Sequence, residues 1–175
     1  MSARAAAIVP DALVDVFEHV PEYSGYDDRD VVKTCESDFR ISLGRVIKSW
    51  GDQLLDAAEH TETPLTRAEM HAVDVLLGGI ADLFDQLNRF RPVLVDDDES
   101  TRRESLARAD AGIIALLEEG AQLMRDLRTP SLAHRWLEHH AAEMAERLHH
   151  LNDRLERRNR VLLDDEARED HTLLV

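Results

Sequence analysis

The densest collection of chemistry-bearing side chains in this chain lies between positions 134 and 150, where His134, His139, His140, His149 and His150 stand among Glu143 and Glu146. Successive residues of an α-helix turn by about 100°, so His139, Glu143, Glu146 and His150 would share one helix face. Imidazole and carboxylate in that pattern suit a transition metal. That face lies opposite a leucine stripe, however. The expectation is a solvated face laced with local His–Glu pairs, on which a metal would need ligands from a partner chain. A second grouping is internal. Glu36 and Asp110 fall within apolar stripes at similar heights, near the level expected for His149 and Asn152. A buried carboxylate must be paired, protonated or metal-bound. The favoured expectation is a structural polar layer that fixes helix register, with Arg40 as counter-charge. The alternative is an interior metal site of Glu36, Asp110, Glu146 and His149, although Glu146 points outward. No cofactor is expected.

Three short patterns resemble signatures of known families. Glu146-x-x-His149 is similar to half of the carboxylate-bridged di-iron pattern of ferritin-like bundles. The second helix offers no matching Glu-x-x-His. Arg135-x-x-x-x-His140 is similar to the spaced arginine–histidine motif of HEPN ribonucleases. That resemblance implies that Arg135 and His140 position and protonate a scissile phosphate, which is general acid–base work. Here Trp136 replaces the polar residue usual after the arginine, and nineteen arginines with nine histidines produce such spacings by chance. Glu143-x-x-Glu146 followed by Glu166-x-x-Glu169 resembles the paired carboxylates of all-α nucleotide pyrophosphohydrolases, implying magnesium-dependent hydrolysis. It lacks their final aspartate. The formal net charge of −15 opposes an RNA substrate and nonspecific nucleic-acid binding.

The elements that must position these residues are helical. Glycine and proline number only seven and five, which favours long elements over many short strands. Phe39, Leu43, Val46, Trp50, Leu54 and Ala57 recur with helical period and predict a first long helix from about Asp30 to His60. Thr66-x-x-Glu69 reads as a capping box, and Pro64 suits the first turn of a second helix that runs to about Arg91. Thr101-x-x-Glu104 opens a third helix through Leu127. After Thr129-Pro130 comes the most regular pattern, Leu137, Ala141, Met144, Leu148, Leu151, Leu155 and Leu162, broken only by Arg158. Arg154, Arg157, Arg158 and Arg160 form a basic cluster that could grip an acidic partner; pairing with the acidic tail or simple solvation is the favoured expectation.

The expected fold is all-α: an antiparallel up-down-up-down four-helix bundle over 31–163, with a short extra N-terminal helix near Asp11–His19. Residues 1–30 hold that helix and an acidic loop, and 164–175 form an acidic tail. The run Asp96–Glu99 is a solvated loop whose negative charge favours the helix that follows. A single cysteine, Cys35, excludes an intrachain disulfide. With no run of the roughly 20 apolar residues that span a bilayer, the chain reads as cytoplasmic.

Composition and motifs point first to a noncatalytic interaction protein that self-associates as a homodimer. The last helix extends its heptad beyond the length the others can cover, so Leu155, Leu162 and Leu163 need a partner, in this chain or another. With Tyr23 and Tyr26 they are the candidate interaction residues; Ile41 also lies off the main stripe of the first helix, and Val75 sits at a stripe's margin. A metalloprotein and a small hydrolase of HEPN type are the alternatives.

Overall fold

A computed structural model describes the backbone of residues 29–89, 100–128 and 132–163, and the side chains of residues 39–88, 108–127 and 132–160. The regular elements among them are all helical. α1 spans Arg29–Glu59, α2 Arg67–Arg89, α3 Ser100–Arg125 and α4 Ala133–Leu163. A 3-10 turn, Asp126–Arg128, follows α3. The expected N-terminal helix, the loop with Tyr23 and Tyr26, the Asp96–Glu99 run and the acidic tail lie outside the described residues.

Local chemistry sets the helix ends. The capping box at Thr66 forms in full. Glu69 N donates to Thr66 Oγ1 at 3.3 Å, and Thr66 N donates to Glu69 Oε2 at 2.7 Å. Two amides that α2 cannot satisfy itself are thereby satisfied. Because Thr66 takes the N-cap, α2 begins at Arg67, and Pro64 stands outside the helix rather than in its first turn. The far end of α2 is closed from another helix: Arg40 Nη1 of α1 donates to the Leu87 carbonyl at 3.1 Å. Trp136 of α4 does the same for α3, its Nε1 donating to the Leu123 carbonyl at 2.7 Å. At the end of α1, His60 N donates to the Asp56 carbonyl at 3.1 Å.

The apolar stripes expected from the sequence meet in one core. Leu43, Ile47, Trp50 and Leu54 from α1 pack with Leu76, Ile80 and Leu83 from α2. Ile113, Leu117 and Met124 from α3 join them, with Trp136, Met144, Leu148 and Leu151 from α4. Burying one such side chain contributes about 1.5–3 kcal/mol, so the shared core is the main force holding the helices together. Leu155 belongs to it, at 2% exposure. It is therefore covered within its own chain. Of the two coverings that helix length leaves open, its own chain supplies the one for Leu155, and burial on α4 continues to Arg158 and Asn159.

Two glycines set how closely helices approach. A methyl group placed on Gly120 of α3 would stand 2.6 Å from Trp50 Cη2. The indole of α1 thus lies against α3 backbone. On α2, a methyl group at Gly79 would meet Leu148 Cδ1 at 3.3 Å, which brings α2 against α4.

Candidate functional site

The polar groups inside the bundle assemble near the start of α1. Asp110 of α3 and Arg158 of α4 form an ion pair at 0% and 1% side-chain exposure. Arg158 Nε donates to Asp110 Oδ1, and its Nη2 donates to Oδ2 at 3.4 Å. The guanidinium also lies 4.6 Å from the centre of the Phe39 ring, a cation–π contact with α1. Beside it, Arg40 Nη2 donates to Asn159 Oδ1 at 3.1 Å while Nη1 holds α2. One cluster of charged and polar groups thus ties all four helices together. Low dielectric makes a charge here costly unless it is paired and hydrogen-bonded, as this pair is.

This cluster revises the sequence expectation at several positions. Asp110 is interior as expected, and Arg158 supplies a positive charge beside it. Arg158 is not part of a solvated basic cluster, because its position continues the core face of α4. His149 does not approach the interior. It is exposed, with its Nε2 3.8 Å from Asp153 Oδ2 one turn on. Leu148 and Leu151 take the inward face, so the two histidines between them turn out. The Glu36 side chain lies outside the described residues.

The outward stripe of α4 falls on the solvent side. His139, Glu143, Glu146 and His150 are all exposed. His139 Nδ1 lies 3.9 Å from Glu138, and Glu143 accepts from Arg147 Nη2 at 3.4 Å. Arg147 also makes an ion pair with Glu119 of α3 at 3.0 Å, joining the two helices at the surface. Among the described residues, no group of three or more His, Cys, Asp or Glu side chains is arranged to hold a metal ion. Arg135 is exposed, while His140 is half-buried with its ring 6.3 Å from that of Trp136. The indole between them in sequence is buried in the core and donates to α3.

The sequence reading missed a second polar junction, at the other end of the bundle. His134, near the start of α4, reaches Glu69 of α2 and Thr63 of the α1–α2 connection. Its Nδ1 is 2.8 Å from Glu69 Oε1, and its Nε2 is 2.8 Å from Thr63 Oγ1 and 3.1 Å from Thr63 O. Glu69 is held down to about 2, first by the Thr66 amide, then by the Thr66 hydroxyl, then by His134. His134 is raised above its usual value, first by its hydrogen bond to Glu69, against partial desolvation, and further by the Thr63 carbonyl. The capping box was the available signal: a carboxylate fixed at an N-cap still has one oxygen to offer.

Several apolar side chains stand outside the core. Ile41 and Leu55 of α1 are 49% and 45% exposed, and Met70 of α2 is 51% exposed. Val75 and Leu132 are also exposed. Leu162 and Leu163 are helical in backbone, with side chains outside the described residues, as are Tyr23 and Tyr26. No described helix is long and apolar enough to cross a membrane. Compared with models of known families, with curated proteins and with solved structures, the chain matches none.

Proposed function

We propose that this chain is a noncatalytic helical-bundle protein, an adaptor, chaperone or regulator, that works through helix faces and first of all by pairing with a second copy of itself. Its four helices run up-down-up-down, each antiparallel to the next, after a short N-terminal helix. Support for that order comes from which ends meet. Arg40, early in α1, holds Leu87, late in α2. Asp110, early in α3, meets Arg158, late in α4, while Leu123 meets Trp136. The proposed setting is the cytoplasm, where a lone reduced cysteine is ordinary.

The observation that carries the reading is the apolar exposure beside the α1–α2 seam. Ile41 and Leu55 are two heptads apart and so share a face of α1. Gly44 and Gly51 face α2, since methyl groups there would meet Phe84 and Ile80, each at 3.8 Å. Helical rotation places Ile41 and Leu55 on the flank next to that contact, and Met70 and half-buried Leu77 on the corresponding flank of α2. Val75 is rotated well away from it. Together the four side chains offer a strip between two helices that a matching strip can cover, with Lys48 and Asp52 paired across one turn within it.

Mass measured by light scattering tests this. Wild-type protein is expected at twice the chain mass, and Ile41→Glu with Leu55→Glu is expected at the chain mass with unchanged helicity. Wild-type protein that is monomeric at the highest soluble concentration excludes self-association. A variant that stays dimeric excludes this strip, and Leu162→Glu then decides whether the end of α4 is used instead.

A further inference from the structure

We propose that the junction of His134, Glu69 and Thr63 is a pH-sensitive clasp, which holds the α1–α2 connection against the start of α4 while His134 is doubly protonated and loosens when that proton leaves. The argument begins with donors and acceptors. Both ring nitrogens face oxygen: Glu69 Oε1 at 2.8 Å on one side, and Thr63 Oγ1 at 2.8 Å and Thr63 O at 3.1 Å on the other. An ionised carboxylate and a backbone carbonyl can only accept. A neutral imidazole has one N–H to give. If Nδ1 serves Glu69, the Nε2 lone pair faces the Thr63 carbonyl, and only the hydroxyl can turn to meet it. The imidazolium has two N–H groups and satisfies both sides.

Glu69 cannot turn away to relieve the conflict. Its other oxygen accepts from the Thr66 amide and the Thr66 hydroxyl, each at 2.7 Å. The carboxylate therefore belongs to the cap of α2 and to the clasp at once. The position of His134 near the N-terminus of α4 opposes a cation there. The Glu69 and Thr63 contacts raise His134 against the desolvation that would lower it. The remaining charges on the elements that meet here are Glu62 of the connection, Arg67 and His71 of α2, Asp126 of the turn, and Arg135 and Glu138 of α4. All are exposed, so solvent and salt screen them. His60, at the end of α1, is engaged with Asp56.

The direction with pH follows by linkage. A group raised on folding contributes stability in full below its unfolded value, here near 6.5, and loses it as pH rises through the folded value. Glu69, lowered on folding, contributes above 4.5 and loses its contribution as pH falls toward about 2. The clasp is thus closed most firmly between those unfolded values and opens on the alkaline side.

Histidine ring resonances of the full chain, followed by NMR across pH, test the clasp. His134 is expected to titrate at higher pH in wild type than in Glu69→Gln. Hydrogen exchange of the Thr66 amide, corrected for base catalysis, is expected to speed up as His134 titrates in wild type and to be indifferent to that step in His134→Gln. A His134 titration that Glu69→Gln leaves in place overturns the clasp. So does Thr66 exchange with no step at the His134 midpoint.

Discussion

The side chains with most at stake are Asp110 and Arg158, the fully buried ion pair between α3 and α4. Removing one partner of such a pair costs about 3–5 kcal/mol, whereas replacing both with apolar residues of similar size is often neutral or stabilising. Asp110→Ala is therefore expected to lower the free energy of urea unfolding by that amount. Asp110→Leu with Arg158→Met is expected to recover most or all of it. A double variant as weak as the single one would mean that the pair itself, rather than its satisfied charge, holds the helices. The sequence marked half of this arrangement. Asp110 interrupts an apolar stripe and was legible as interior. Arg158 interrupts another, but its charge and its arginine neighbours at 154, 157 and 160 favoured solvent. Opposite charges breaking two stripes at corresponding heights were the readable sign. Helical period tells which way a residue faces, and a paired charge obeys that period as a leucine does.

The helices were readable because apolar spacing and cap chemistry agree. α1 and α4 fall within a few residues of their expected bounds, and Thr66 and Glu69 make the capping box that their spacing implies. Packing distance between helices was not readable, since it depends on which small residue meets which large one. Gly120 shows why. The added methyl group of Gly120→Ala would sit 2.6 Å from the buried indole of Trp50, so the ring or the helix must move. Overpacking of that kind costs about 1–3 kcal/mol. Gly78, also within a helix, has nothing within 4 Å of such a methyl group. There the gain in helix propensity stands alone, and Gly78→Ala is expected to stabilise by about 0.5–1 kcal/mol. Thermal unfolding of the two variants should shift in opposite directions. A common direction would contradict the close contact of α1 with α3. The clasp at His134 escaped the sequence for a related reason, because Glu69 and His134 are 65 residues apart and only packing of α2 against α4 joins them.

For the whole molecule, charge and apolar exposure act against each other. Two copies with a net charge of −15 repel, while the strip beside the α1–α2 seam favours contact. Salt shortens the range of that repulsion, to about 10 Å at 0.1 M. Self-association through an apolar strip is therefore expected to strengthen as salt rises, and one built on ion pairs would weaken. The sequence suggested an interaction surface but sought it at the end of α4, where Leu155 is in fact core. Periodicity does set Ile41 off the main stripe of α1, but exposure of Leu55 and Met70 depends on how far neighbouring helices reach around α1 and α2, which periodicity does not report. Hydroxyl-radical footprinting at dilute and concentrated protein, read side chain by side chain, tests the reading most directly. Ile41, Leu55 and Met70 should lose reactivity on concentration while Val75 and Leu132 keep theirs; equal reactivity at both concentrations, or loss confined to α4, would contradict it.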